Sequence, residues 1–171
     1  MKDLSTKKLI IAAIAGALYA ALTMLLSPLS YGPVQLRVSE ALCVLPFFLP
    51  YTAWGLFFGC AIANIVSAAG ILDVVFGSLA TLLSCLCIAF IGRKSGSLKS
   101  RVLACLMPAV FNGLIVGAVL TSALAGLSPL KAPGAFLLCA LQVAAGELAV
   151  MLALGLPLMS FLQKHPDALH R

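Results

Sequence analysis

Residues Tyr31–Leu42, with the sequence YGPVQLRVSEAL, separate two long apolar segments of the chain. This stretch places an amide, a guanidinium and a carboxylate close together, on Gln35, Arg37 and Glu40. The following residues, 43–90, contain a single charged side chain. Polar groups next to hydrocarbon are costly unless they are paired or line a cavity. The stretch therefore predicts the mouth of a binding site.

The composition indicates that most of the chain lies in lipid. Its 171 residues are 63% hydrophobic and 9% charged, with a mean hydropathy of +1.15. A water-soluble domain of this size has about a quarter of its residues charged. We therefore expect an integral membrane protein with one transmembrane substrate-binding domain over residues 1–171 and cytoplasmic tails at about 1–8 and 164–171.

The basic residues cluster at the ends of the apolar runs. The clusters are Lys2, Lys7 and Lys8 before the first run, Arg93, Lys94, Lys99 and Arg101 between two others, and Lys164 and Arg171 after the last. This distribution is the positive-inside pattern of membrane proteins, and it differs from the basic stripe of a nucleic-acid-binding surface. It predicts that both termini are cytoplasmic, so the number of spans must be even.

Six apolar runs separated by turn residues predict an all-α, polytopic fold with six transmembrane helices. The runs are 9–26, 40–48, 53–69, 72–91, 102–124 and 135–162. Interruptions at Pro50 and Gly70 favour three helices, rather than two, between Arg37 and Arg93. A count of four spans is the alternative.

The first apolar run carries small residues at every fourth position. They form two neighbouring rows, Ala12, Gly16 and Ala20 in one and Ala13, Ala17 and Ala21 in the other. Small residues on a membrane helix allow the close approach of another helix. The partner helix belongs either to this chain or to another subunit, and the rows predict a docking surface in the second case.

Eight polar residues within or beside the apolar runs are candidates for substrate binding. They are Gln35, Arg37, Glu40, Asn64, Asp73, Asn112, Gln142 and Glu147. A carboxylate at the centre of a bilayer costs about 2.5–3.5 kcal/mol, so its presence indicates pairing or function. Structural alternatives remain open: Asp73 can cap a helix, Glu40 can cap a helix or pair with Arg37, and the amides can join helices.

The sequence contains no recognisable catalytic set. Both histidines, His165 and His170, lie in the C-terminal tail, the cysteines lack metal-site spacing, and no phosphate-binding glycine loop is present. We therefore expect no enzymatic activity, no cofactor and no metal. If the protein moves a solute at the expense of ATP, the ATPase must be another chain.

Five motifs, in order along the chain, resemble those of QueT-type queuosine-precursor transporters. They are Gln35–Leu42 followed by Leu45–Phe48, then Gly59–Asn64, Leu72–Leu82, Asn112–Gly117 and Gly146–Leu148. The resemblance covers essentially the whole chain. It implies an S-component, which is the substrate-binding subunit of an energy-coupling-factor (ECF) importer, in the plasma membrane of a prokaryote.

The same resemblance implies partners and a ligand. The partners are a transmembrane coupling subunit, which docks on the small-residue rows of the first helix, and two ATPase subunits. The ligand is a 7-deazaguanine such as preQ0, preQ1 or queuine, bound near the outer face. Two other hypotheses remain: an S-component for a different vitamin-like heterocycle, and a membrane adaptor that transports nothing.

The candidate residues suit a deazaguanine chemically. A carboxylate can accept hydrogen bonds from the ring N–H and the exocyclic amine of its guanine-like edge. The C6 oxygen requires a donor such as Arg37, Asn112 or Gln142. A second carboxylate would pair with an aminomethyl group, where the ligand carries one. The sequence does not assign the individual carboxylates to these tasks.

Overall fold

The computed structural model describes residues 6–32, 34–123 and 126–165, and within them it contains helices and no strands. The helices are α1 (Thr6–Leu25), α2 (Val38–Phe47), α3 (Thr52–Asn64), α4 (Asp73–Lys94), α5 (Leu98–Ala123) and α6 (Pro133–Lys164), with one extra turn at Ser27–Ser30. The predicted all-α fold is confirmed. Most of both predicted tails, including Lys2, His170 and Arg171, lies outside the described residues.

Helices α1, α4, α5 and α6 are long and apolar enough to cross a membrane. Helix α2 is wound as a ten-residue 3-10 helix, and α3 has 13 residues. Each is therefore about 20 Å long, whereas the hydrocarbon of a bilayer is about 30 Å thick. The protein is a multi-pass membrane protein with four helices of spanning length in its described part. Six spans stay a prediction.

One end of the bundle gathers the basic residues. There Lys8 Nζ lies 5.9 Å from the centre of the Tyr51 ring, and Gln163 donates a hydrogen bond of 3.1 Å to the carbonyl oxygen of Gly96. The last turn of α2 also lies against the end of α4. These contacts join the start of α1, the α2–α3 turn, the α4–α5 turn and the end of α6. The described residues of all three predicted basic clusters belong to these segments.

Helix α2 is the central element of the bundle, since it contacts every other helix. Its residues Cys43, Val44 and Phe47 are buried in the main apolar core. The core residues contributed by the other helices include Tyr19, Leu56, Ile88, Cys105, Met151 and Met159. A short helix in this position brings its first turn, which carries Glu40, into the interior of the protein.

Helices α1 and α3 pack with their backbones in contact. A Cβ atom added to Gly16 would overlap the carbonyl of Gly55, and one added to Gly55 would overlap the carbonyl of Ala12. The row Ala12, Gly16 and Ala20 is accordingly buried, whereas the row Ala13, Ala17 and Ala21 is exposed. One of the two predicted small-residue rows therefore serves packing within this chain. Docking of a partner on the exposed row stays a prediction.

Two helices contain a wider π-helical turn, at Asp73–Gly77 in α4 and at Met151–Gly155 in α6. The turn in α6 precedes Pro157, which cannot donate to the preceding helical turn and disturbs a regular helix. In α4, Gly77 lies so close to Asp73 Oδ1 and Asn64 Nδ2 that a Cβ there would collide with both. Such turns are frequent at functional sites.

The contact between α1 and α3 predicts the effect of Gly55→Ala. Helix propensity alone would favour alanine by up to about 1 kcal/mol. Because the new methyl group overlaps the Ala12 carbonyl, we expect Gly55→Ala to lower the free energy of unfolding by about 1–3 kcal/mol instead. Thermal unfolding in detergent micelles measures this change.

The matched control is Gly134→Ala, because a Cβ at that helical position meets no atom within 4 Å in the described structure. Its melting temperature should equal or exceed that of the wild type. Equal melting temperatures for Gly55→Ala and Gly134→Ala would contradict close packing of α1 on α3.

Candidate functional site

The loop before α2 enters the bundle because two positions allow it. Gln35 has a positive φ of 48°, unlike any other described residue except glycines, and its side chain is buried. At Gly146 in α6 the missing side chain leaves room for the carbonyl of Val34, which a Cβ would overlap. The loop therefore lies against α6 immediately beside Glu147.

Arg37, at the end of this loop, forms a buried ion pair with Asp73 at the start of α4. The distance from Arg37 Nη2 to Asp73 Oδ2 is 3.2 Å, and the two side chains are 3% and 0% exposed. The same Oδ2 atom accepts a hydrogen bond of 2.6 Å from Ser67 Oγ, and Asn64 Nδ2 donates to the Asp73 carbonyl at 3.0 Å. This network joins the first loop to α3 and α4.

Three structural alternatives from the sequence are wrong. Asp73 does not cap α4 within the described residues, because its Oδ2 atom binds Arg37 and Ser67 and its Oδ1 atom has no hydrogen-bond partner. Glu40 likewise neither caps α2 nor forms the ion pair with Arg37. Glu40 follows Arg37 by three positions in the sequence, but the tertiary packing brings Asp73 within ion-pair distance of Arg37 instead.

Glu40 accepts hydrogen bonds from neutral groups. Its Oε1 atom accepts from the hydroxyl of Tyr19 and, at 3.4 Å, from that of Thr81, while its Oε2 atom accepts from the thiol of Cys43 at 3.1 Å. Tyr19 and Thr81 also approach the sulfur of Cys60 at 3.5 and 3.3 Å. The carboxylate is fully buried, in the centre of the bundle.

Glu147 and Asn112 form a second buried pair, between α5 and α6. Asn112 Nδ2 donates to Glu147 Oε1 at 2.7 Å, and each residue is 2% exposed. Within the described residues, Asn112 Oδ1 and Glu147 Oε2 have no hydrogen-bond partner. The neighbouring Gly146 lies against the backbone carbonyls of Val34 and Gln35, in the loop before α2. The second pair is therefore close to the loop that leads into the networks at the start of α2 and α4.

The structure brings seven of the eight predicted residues into this interior region: Gln35, Arg37, Glu40, Asn64, Asp73, Asn112 and Glu147. Gln142 is half-buried, and its side chain makes no hydrogen bond to the described part of the chain. It lies five residues before Glu147, which places it about 140° away around the helix axis. A place for Gln142 in the site stays a prediction.

Sequence reasoning missed the neutral partners Tyr19, Thr81, Cys43 and Cys60. The sequence contained a signal for Tyr19, because Tyr19 and Thr23 lie four residues apart on one face of α1 and are the polar residues of that helix after Lys8. The two cysteines lack metal-site spacing in the sequence and were assigned no role there. Both are buried, but their sulfur atoms also take part in the polar network.

The region has an excess of hydrogen-bond acceptors. Within residues 6–32, 34–123 and 126–165, the hydroxyl of Ser30 and four amide or carboxylate oxygens are buried without a hydrogen-bond partner, and the four are Asn64 Oδ1, Asp73 Oδ1, Asn112 Oδ1 and Glu147 Oε2. An unsatisfied buried polar group costs about 1–3 kcal/mol. A guest molecule that presents several N–H or O–H donors would recover this free energy.

The ion pair predicts a specific pattern of stabilities. Arg37→Met leaves the Asp73 charge buried without a counterion, so we expect it to lower the free energy of unfolding by about 3–5 kcal/mol. Arg37→Met combined with Asp73→Asn removes both charges and should recover part of this loss. Chemical or thermal unfolding in detergent micelles measures both variants.

Arg101→Met serves as the control, because Arg101 is only partly buried and donates to a neutral hydroxyl, that of Ser160, at 2.9 Å. Its effect should be about 1 kcal/mol. Equal stability of the Arg37 single variant and the double variant would rule out the ion pair as the cause.

Comparisons with known proteins identify the same family as the five sequence motifs. Residues 9–164 match the family model described as QueT transporter. The queuosine precursor transporter QueT of Lactococcus lactis subsp. cremoris (strain MG1363) is 43% identical over 84 residues, which are 48% of this chain and 49% of that relative. The match thus spans about half the length of the relative, and no solved structure matches the chain. Because the family model covers nearly the whole sequence, this protein belongs to the QueT transporter family.

Proposed function

We propose that this protein captures a queuosine precursor, a 7-deazaguanine, as the substrate-binding membrane subunit of an ECF importer. Membership of the QueT transporter family and the name of the Lactococcus lactis relative support a queuosine precursor as the substrate. The observation that carries the proposal in the structure is the group of four buried acceptor oxygens without a donor. These acceptors complement the donor-rich edge of a guanine-type base.

The acceptors on Asn112 and Glu147 are the best match to that edge. The two side chains are hydrogen-bonded to each other, so Asn112 Oδ1 and Glu147 Oε2 lie on neighbouring groups. A 7-deazaguanine presents a ring N–H and an exocyclic amine side by side, and these are the two donors required. An adenine-type base presents a ring acceptor in place of the N–H, which would face Glu147 unfavourably.

Arg37 is the donor we assign to the C6 oxygen of the base. It is buried, its guanidinium has five N–H donors, and the ion pair with Asp73 uses one of its terminal nitrogens. Asn112 already donates to Glu147 through its amide nitrogen, and Gln142 lies on another part of α6. Contacts from Asn112, Glu147 and Arg37 together would hold the base in one orientation.

The subunit role rests on the exposed small-residue row of α1. Ala13, Ala17 and Ala21 are exposed beside an apolar groove of about 330 Å³ between α1 and α3. The groove is also lined by Trp54 and Phe58, which are more than half exposed. A transmembrane coupling subunit docks there in this proposal, and two ATPase subunits supply the energy. The basic end of the bundle faces the cytoplasm of a prokaryotic cell.

The proposed ligand contact predicts the effect of Glu147→Gln. This change keeps the size of the side chain. One carboxylate oxygen becomes an NH₂ group, which cannot accept a hydrogen bond, and the other becomes an uncharged carbonyl oxygen. We expect at least about tenfold weaker binding of 7-deazaguanines, which corresponds to about 1.4 kcal/mol. Isothermal titration calorimetry of the purified protein measures the affinity.

The reverse exchange at an exposed site, Gln163→Glu, is the control and should bind like the wild type. Unchanged affinity of Glu147→Gln would remove Glu147 from the site. If the wild type binds no 7-deazaguanine, while another heterocycle co-purifies and is identified by mass spectrometry, the substrate assignment is wrong.

The docking surface predicts that Ala17→Leu separates binding from transport. The larger side chain should prevent close approach of the coupling subunit and abolish uptake by cells, while the purified variant still binds the ligand. Ala149→Leu makes the same change at an exposed position on α6 and should leave uptake unaffected. Normal uptake and normal co-purification of partner subunits with Ala17→Leu would contradict docking on α1.

A further inference from the structure

The Arg37 side chain is held by more than its ion pair with Asp73. The chain makes one helical turn at Ser27–Ser30, and the turn closes where the backbone N–H of Tyr31 donates to the carbonyl oxygen of Ser27 at 3.0 Å. Arg37 returns to this turn. Its Cζ atom lies over the Tyr31 ring, 5.6 Å from the ring centre, and its Nε donates to the Ser30 carbonyl oxygen at 3.5 Å.

The Tyr31 ring is itself fixed in place. Its hydroxyl donates a hydrogen bond of 2.5 Å to the carbonyl oxygen of Ala63, near the end of α3, and the side chain is half-buried. A guanidinium within about 6 Å of the centre of an aromatic ring is attracted to the ring face by about 0.5–2 kcal/mol. The anchored ring therefore restrains the guanidinium in addition to the ion pair.

These contacts leave one terminal nitrogen of the guanidinium available. Nε binds the Ser30 carbonyl, and Nη2 binds Asp73. Within the described residues, Nη1 approaches only the sulfur of Cys60, at 4.0 Å, and a thiol is a weak acceptor. Nη1 is accordingly the nitrogen of Arg37 that is free to donate to a ligand.

We propose that Tyr31 is a positioning residue, which orients Arg37 so that Nη1 donates to the oxygen at position 6 of the base. The site then selects a 6-oxo base over its 6-thio counterpart. The inference rests on the proposed function, which assigns the C6 oxygen to Arg37. A hydrogen bond weakens steeply as its angle departs from linearity, so a guanidinium that is free to turn discriminates less between two acceptors. Tyr31 acts through Arg37 and needs no ligand contact of its own.

Two ligands that differ in one atom test this selectivity. Unsubstituted 7-deazaguanine and 6-thio-7-deazaguanine present the same ring N–H and exocyclic amine, but sulfur accepts a hydrogen bond more weakly than a carbonyl oxygen. Isothermal titration calorimetry of the wild-type protein should give an affinity for the oxo compound at least about tenfold higher than for the thio compound.

Tyr31→Leu removes the ring from the guanidinium. The ratio of the two affinities, oxo over thio, should fall to about one to three, because Arg37 is then less well oriented. A purely structural role of Tyr31 would weaken the binding of both compounds alike and leave the ratio unchanged. Tyr51→Leu is the matched control and should keep the wild-type ratio, since Tyr51 makes the same kind of contact with Lys8, at 5.9 Å, at the basic end of the bundle.

A second pair of variants changes the ring without removing it. Tyr31→Phe keeps the ring and loses the hydrogen bond to Ala63, whereas replacement of Tyr31 by 3,4,5-trifluorophenylalanine also weakens the negative face of the ring with little change in volume. The oxo-to-thio ratio should be lower for the trifluorophenylalanine variant than for Tyr31→Phe. This pair decides the question where Tyr31→Leu does not fold or binds too weakly to measure.

The outcomes distinguish this inference from the proposed function. A wild-type ratio in Tyr31→Leu, or equal ratios in the phenylalanine and trifluorophenylalanine variants, would show that the ring does not orient Arg37. Equal affinity of the wild type for the two compounds overturns the selectivity but leaves a deazaguanine site in place. If the folded wild type binds neither compound, the proposed function itself is wrong.

Discussion

The ion pair between Arg37 and Asp73 is the constraint on which the interior of this protein depends. Both charges are shielded from solvent by the bundle, where an unpaired charge is strongly unfavourable. Pairing therefore requires that the first loop and the start of α4 meet. Ser67 and Asn64 complete the arrangement by binding the Asp73 carboxylate and carbonyl, so the end of α3 is held at the same point.

The short central helix makes room for this polar interior. Irregular backbone and buried charges are tolerated at membrane depth only where protein surrounds them. Because α2 starts inside the bundle, the loop before it reaches α6, and the carbonyl of Val34 fits against Gly146. Glu40 in the first turn of α2 then accepts hydrogen bonds from Tyr19 of α1 and Thr81 of α4, and both of these also approach the sulfur of Cys60 in α3. Because α2 starts inside the bundle, the helix is short and the polar site lies deep in the protein.

The two ends of the bundle differ in a way that suits a capture subunit. Basic residues collect at one end, whereas the acidic and amide groups lie inside and towards the other end, where the first loop and the α3–α4 turn meet. In the proposed function the ligand enters from the acceptor-rich end, and partner subunits energise its release on the opposite side. The buried row of α1 packs against α3 within the chain, and the proposed function assigns the exposed row beside it to docking.

Hydrophobic runs, prolines, glycines and basic clusters in the sequence predicted a helical membrane protein and the order of its helices, because these signals are local and depend on the period of the helix. The scarcity of polar residues in those runs also singled out most of the polar side chains that the structure buries, and their role in binding stays a prediction. The tertiary structure alone decided that Arg37 pairs with Asp73 and not with Glu40, and that Tyr19 and Thr81 support Glu40. Contacts between distant residues depend on how helices cross and rotate against each other, and the spacing of residues along one segment carries no information about that rotation.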